Sequence, residues 1–360
     1  MYTLPLSQLD SFFEAVGTKM PLYIPQDNTS GKADFVRWTK GAHLSKALKT
    51  VRSAKDFFLP KTETLVSYKL EGKKIEIDDP RKELEDFVVF GVRACDAASF
   101  AIVDNVYIKQ TPVDTYYKNR REHGVVITLA CTDPAQTCFC KLYDIDAADP
   151  KGDVSAWITS DALYLNANTD KGNKFVEAAL SLSKQNKLSL SESDDKAVSA
   201  QQKDIRAKTE KLPFVHLDLT KFAGSNMMNV FNAKLWEDLS HTCLGCGTCT
   251  YVCPTCMCFD VRDFDTGHGI KQFRCWDSCM YSDFTKMAAA NPRLTQKERF
   301  RQRFMHKLVY YPMEHNGLRS CVGCGRCLES CPIHMNIVKV IKAVNESSDV
   351  PVPTTTKGAN

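Results

Sequence analysis

The sequence contains no run of about 18 apolar residues, which excludes a membrane-spanning helix. Its start, MYTLPLSQLDSFFEAVG, does not lead from a basic segment into an apolar one. It reads as a short amphipathic helix capped near Ser7, and a cytoplasmic location is expected. Phosphate-binding glycine patterns are also missing: there is no G-x-G-x-x-G after a strand and no G-x4-G-K-[ST]. The chain therefore offers no dinucleotide or nucleoside-triphosphate cradle of its own. Charge of one sign is scarce, with a formal net charge of +4. The one concentrated basic run, Arg293 to Lys307 with Lys297, Arg299, Arg301 and Arg303, reads as a solvated amphipathic helix with Leu294, Phe300, Phe304 and Leu308 inside. That footprint argues against nucleic acid as a partner. No Ser/His/Asp or paired-carboxylate arrangement stands out, so active chemistry is expected in another polypeptide.

Cysteine is abundant instead, 16 in 360 residues. In a large chain without a secretory start this points to metal rather than disulfides. Two runs match: Cys243-x2-Cys246-x2-Cys249-x3-Cys253-Pro254 and Cys321-x2-Cys324-x2-Cys327-x3-Cys331-Pro332. Three thiolates at this spacing wrap one [4Fe–4S] cube from a single loop, and the fourth is carried away to ligate the neighbouring cube. One cluster thus takes Cys243, Cys246, Cys249 and Cys331, and a second takes Cys321, Cys324, Cys327 and Cys253. Gly245 and Gly323, before Cys246 and Cys324, let the backbone fold tightly and aim N–H groups at sulfur. Zinc closes a site with two Cys-x2-Cys pairs, but it leaves the third cysteine of each triplet and the repeated Cys-Pro without a role. Clusters of this type imply an anaerobic or oxygen-protected cell. A four-thiolate cube is an anion, so the basic run has a second reading, in which its cations stabilise the reduced cube or dock an acidic partner.

Along the chain, residues 1 to about 165 read as α/β, with a helix over 44–59, buried strands at 86–91 and 124–130, strands within 154–165 and a helix over 174–183. The expected organisation is an α/β domain over 1–185, a polar linker over 186–228, with the stretch from about 184 to 211 readable as a linker or a solvent-facing helix, a mainly helical two-cluster ferredoxin-like domain over 229–344 opening with a helix at 229–240, and a disordered tail over 345–360. Cys95 and Cys131 follow the two buried strands, at the carboxyl ends where α/β proteins build their sites, and Cys138 and Cys140 return on a loop. These four are the candidate ligands of a third cluster, within a domain expected to hold it independently. Cys256, Cys258, Cys275 and Cys279 flank the first ferredoxin run as candidates for a fourth, with Cys275 equally readable as a core residue. His241, His268, His306, His315 and His334 are assigned no role, and Asp96 and Asp277 read as helix caps or hydrogen-bond acceptors.

The combination GVRACD (91–96), Cys131 with CFC at 138–140, CLGCGTCTYVCPTCMCFDV (243–261), RCWDSCM (274–280), ERFRQRFMHK (298–307) and CVGCGRCLESCP (321–332) resembles the 4Fe-4S dicluster electron-transfer subunits. That family includes the corresponding iron–sulfur component of anaerobic sulfite reductase and the β subunit of soluble NAD(P)-linked hydrogenases and sulfhydrogenases. The resemblance runs from about 86 to 340. It implies a non-catalytic component of a hetero-oligomeric complex, with three or four [4Fe–4S] clusters, between a ferredoxin-reductase-like flavoprotein carrying FAD and handling NAD(P)H and a separate catalytic subunit, with ferredoxin as a further exchange partner. One departure is Cys275, where the family commonly has another residue. A fourth site of four cysteines is then particular to this branch or absent. The alternative is a catalytic reductase whose substrate meets a non-standard cluster there.

Overall fold

The computed structural model describes residues 1–47 and 49–353. Its centre is an eight-stranded mixed sheet of β1 (Tyr2–Pro5), β2 (Leu22–Asp27), β3 (Ala33–Arg37), β6 (Phe87–Val92), β7 (Gly124–Leu129), β8 (Val154–Ile158), β9 (Ala162–Ala167) and β10 (Ser191–Glu192), in the order β10-β1-β9-β8-β7-β6-β2-β3. β2, β6, β7 and β8 run parallel. Every residue of β6 (FVVFGV) and β7 (GVVITL) is buried, as expected of parallel strands covered on both faces. Helices Ala94–Tyr107 and Thr115–His123 make the crossover between them, so Cys95 and Cys131 leave the sheet on the same side.

A second sheet joins the two ends of the chain. Strands β4 (Thr62–Glu71) and β5 (Lys74–Asp78) pair with β11 (Phe259–Asp265) and β12 (Gly269–Trp276) in the order β11-β12-β4-β5. The C-terminal part is therefore not helical throughout: between its two cysteine runs it sends out a hairpin, turned at Gly267 and Gly269, that pairs with a strand about two hundred residues earlier. The outer part of this arm exposes Leu70, Ile75, Ile77, Phe264 and Ile270.

Four other expectations change. Only Lys55–Phe58 of the segment 44–59 is helical; Val51 N–H donates to Ala33 O at 2.8 Å, and this pairing beside β3 withdraws the backbone from a helix. Leu48 lies outside the described residues. The stretch 186–228 is packed rather than a linker. Helix Lys196–Glu210 buries Val198 and Ile205 beside the central sheet, and Leu212, Val215 and Phe222 enter the C-terminal core. The helix expected over 229–240 is two, Met227–Asn232 and Leu235–His241, with Trp236 Nε1 donating back to Val230 O at 2.6 Å. Finally, the start of the expected disordered tail is docked. Val350 is buried, and Lys221 Nζ donates to the carbonyls of Val344, Asn345 and Ser347. The rest of the tail, 354–360, lies outside the described residues.

Candidate functional site

All 16 cysteines are free thiols, outside any disulfide. In the N-terminal group, Cys95 opens the helix after β6, and Cys131 follows β7 with its N–H held by Ala147 O at 3.0 Å. Cys138 and Cys140 return on the loop, and the four thiols act on one another electrostatically. Burial pushes Cys95 and Cys131 up and Cys140 to about 12, so a metal that binds here has to displace protons.

This group is not the property of the N-terminal half alone. Phe139 N–H donates to Gly323 O at 2.8 Å, and Cys138 Sγ lies 3.8 Å from Cys324 O. Cys95, Cys140 and Cys324 share one apolar cluster. Arg326, buried, places Nη2 2.7 Å from Asp96 Oδ2, and its Nε donates to Thr50 O at 2.9 Å. Asp96 is thus the anchor of an ion pair between the two sequence halves rather than a helix cap.

The two ferredoxin runs repeat one backbone geometry. Gly245 and Gly247 have φ of 64° and 71°, and Gly323 and Gly325 have 60° and 74°. Sequence reasoning singles out only the first of each pair; glycine directly after the second cysteine, as at Gly247 and Gly325, is the signal for the other. In the first run Cys243 Sγ accepts from Gly245 N–H and from Gln296 Nε2, each at 3.5 Å, and Cys246 stands exposed next to Thr248 Oγ1 at 3.3 Å. Cys331 Sγ donates to Met335 O at 3.4 Å and, with Cys243, lies against the same apolar core. In the second run, Cys321, Cys324 and Cys327 line a cavity with Cys253, the remaining walls including Phe139, Arg303, Lys307 and Ile337. Four thiols, apolar walls and cations without a carboxylate make a donor set suited to an anionic iron–sulfur cube. Among the described residues, no three His, Cys, Asp or Glu side chains draw together round a single metal ion.

In the fourth group, Cys256 is hydrogen-bonded to Cys253. Cys258 accepts a hydrogen bond from Cys279, which pulls the Cys258 thiol down to about 7. Cys275 sits on β12 between Asp260 of β11 and Thr62 of β4.

The basic run departs from a solvated face. Helix Gln296–Met305 does bury Phe300 and Phe304, and Leu308 follows them, but Leu294 is exposed. Arg303 and Lys307, both 3% exposed, turn inward onto the thiols, where the chain passes into a π-helical turn over His306–Tyr310. Lys307 Nζ donates to Thr255 Oγ1 at 2.8 Å and to Ser320 O at 3.0 Å, and Arg303 Nη2 to Cys249 O at 3.1 Å. Burial opposes both charges, yet the surrounding cysteines outweigh it and hold both groups above their ordinary range. Lys55, which no sequence pattern singles out, lies beside them: its Nζ donates to Cys256 O at 2.7 Å and lies 3.6 Å from the centroid of the Trp276 ring, and burial holds its ammonium below its ordinary range, against the pull of Cys256 and Cys253.

No helix among the described residues is long and apolar enough to cross a membrane. Residues 242–335 match the family model of a 4Fe-4S dicluster domain. The chain is 32% identical over 305 residues, 83% of its own length and 84% of the relative's, to the sulfhydrogenase 2 subunit beta of Pyrococcus furiosus.

Proposed function

This chain belongs to the 4Fe-4S dicluster family of electron-transfer subunits, and from that premise we propose that it relays electrons between an FAD-containing, NAD(P)H-handling flavoprotein of ferredoxin-reductase type and a separate catalytic subunit of hydrogenase or sulfite-reductase type. The observation that carries this reading is that the cysteine groups adjoin one another in series. Cys95 and Cys140 pack in one apolar core with Cys324. Cys253 belongs both to the cavity of Cys321, Cys324 and Cys327 and to the hydrogen bond with Cys256, and Cys249 feels the charges of Cys243, Cys246 and Cys253. A relay needs stations in contact, because one long hop is slow. Each bound cube supplies one-electron exchange.

In this reading Cys243, Cys246, Cys249 and Cys331 hold the first cube, Cys321, Cys324, Cys327 and Cys253 the second, and Cys95, Cys131, Cys138 and Cys140 the third. The N–H groups aimed at Cys243 sulfur tune the first site, and the apolar walls keep water from the second. Exposed Cys246, beside exposed Leu244, offers a surface port for a partner, with ferredoxin a further candidate. The apolar side chains on the outer arm suit a chain that works inside a complex.

The test is electron paramagnetic resonance of the anaerobically prepared chain after dithionite. The expected spectrum is that of reduced [4Fe–4S] cubes broadened by magnetic interaction. The same preparation should fail to reduce viologen with NADH or NADPH until a flavoprotein partner is added. A colourless protein, or NAD(P)H turnover by the chain alone, defeats the proposal.

The fourth site divides the remaining possibilities. If Cys256, Cys258, Cys275 and Cys279 hold a cube, the chain carries about sixteen iron atoms, and about twelve if the site is empty. Since Cys275 enters neither the hydrogen bond of Cys258 with Cys279 nor that of Cys253 with Cys256, Cys275→Ser is expected to leave the iron and acid-labile sulfide content unchanged. A loss of about four iron atoms would make it a ligand. A cluster retained without Cys275 has a non-cysteine position, the condition under which the second reading, a reductase acting at that site, becomes the better one.

A further inference from the structure

Lys55, Arg303 and Lys307 are 2%, 3% and 3% exposed, and all three converge on Cys253 and Cys256. Buried cations ordinarily have carboxylate partners, since an unpaired charge taken out of water is strongly unfavourable. None of these three forms an ion pair with a carboxylate among the described residues: Lys55 and Lys307 donate to backbone carbonyls and the Thr255 hydroxyl, and Arg303 Nη2 to the Cys249 carbonyl, with its Nε unpartnered. Asp56, a carboxylate that acts on Lys55, is itself paired with Arg52 at 3.1 Å.

The other groups differ. At the N-terminal group Arg326 is matched by Asp96 and Lys49 by Glu329, leaving Arg93 beside Cys131. At the first run, Cys246 opens to water, which screens charge. The unpaired positive charge is therefore densest round Cys253 and Cys256, with Arg303 reaching also to the Cys249 site and, together with Lys307, to the neighbouring Cys279.

Building on the cluster assignment proposed above, we propose that Lys55, Arg303 and Lys307 form a fixed positive field that makes the cube of Cys253, Cys321, Cys324 and Cys327 the electron sink of the chain, the station reduced at the highest potential. On reduction that cube takes one electron from a neighbouring station. No bond is made or broken, and the cations are present in both states, so the added negative charge is met by charge already in place. Burial alone would oppose the more anionic reduced form. Lys55 comes from the N-terminal half, so the field is complete only when the two halves are assembled.

The experiment is a redox titration of the full iron-loaded chain, followed by electron paramagnetic resonance. The step belonging to this station is identified as the one altered in Cys324→Ser. In wild type it is expected to be the highest step. In Lys307→Met its reduction equilibrium constant falls at least tenfold, about 59 mV for one electron, and Lys307→Arg restores it. Arg303→Met shifts this step and that of the Cys249 site together. If Lys307→Met keeps its iron and the step does not move, or if the step is not the highest in wild type, the proposal is overturned. If Lys307→Met loses the cube, Lys55→Met decides instead: its cation touches only the Cys256 carbonyl and the Trp276 face, and an unshifted step there overturns the proposal too. Absence of any cube from wild type would instead strike at the cluster assignment, before a variant is made.

Discussion

Gly323→Ala is expected to remove about eight iron atoms from the chain, two cubes' worth, whereas Gly267→Ala leaves the iron content at the wild-type value. Both glycines have positive φ, 60° and 80°. An alanine forced into that conformation costs about 1–2 kcal/mol, which a folded protein absorbs. What separates them is space. A Cβ on Gly267 meets nothing within 4 Å, but one on Gly323 would stand 2.4 Å from the carbonyl carbon of Phe139 and 2.6 Å from Cys140 N. Those are backbone atoms and cannot swing aside, so the two loops must part, and the Phe139 N–H to Gly323 O bond at 2.8 Å goes with them. The loops carry Cys138 and Cys140 on one side and Cys321 and Cys324 on the other, so two thiol sets are disturbed by one methyl group. Gly325→Ala, with its Cβ 2.4 Å from Thr137 O, should act in the same way. Iron and acid-labile sulfide per chain give the answer. Wild-type iron in Gly323→Ala would show that the interlock does not support the sites.

That interlock also marks where the sequence stops being legible. The cysteine runs are readable because cube ligation is written in local spacing, and β6 and β7 because strands buried on both faces must be continuously apolar. The pairing of β4 with β12 has no local signature: each strand alternates like many exposed hairpins, and only the register from Tyr68↔Ile270 to Thr62↔Cys275 reveals the partner. The helix Lys196–Glu210 is legible only as one of two readings of a polar stretch, because it buries few apolar side chains, Val198 and Ile205 among them, too few to set a period. The inward turn of Arg303 and Lys307 is hidden for a different reason. Helical periodicity assigns charged residues to water unless an opposite charge is visible, and here the only candidates for that charge are thiols. A split into independent domains at 185 is natural from composition, yet it would cut β4 from β12 and Asp96 from Arg326.

Arg326→Met is expected to lower stability by about 3–5 kcal/mol, the usual consequence of removing one partner from a buried ion pair. Arg326 and Asp96 side chains are 2% and 1% exposed, with Nη2 and Oδ2 2.7 Å apart, and the same guanidinium holds Thr50 through its carbonyl. Without it the Asp96 carboxylate is left buried beside the Cys95 thiol, in a place where water cannot reach it. Arg326→Lys should recover only part of the loss, because a single ammonium cannot reproduce a fork that spans Asp96 and Thr50 together. The double replacement Asp96→Asn with Arg326→Met should be markedly less damaging than Arg326→Met alone, since it removes the stranded charge. Urea unfolding at matched iron loading, with wild type, these three variants and Asp96→Asn compared at constant slope, measures the coupling. If Arg326→Met lay within about 1 kcal/mol of wild type, or if the double variant were the worst of the set, the pair would be a passenger and the two halves would be held together by their other contacts, the pairing of β4 with β12 and the Phe139–Gly323 bond among them.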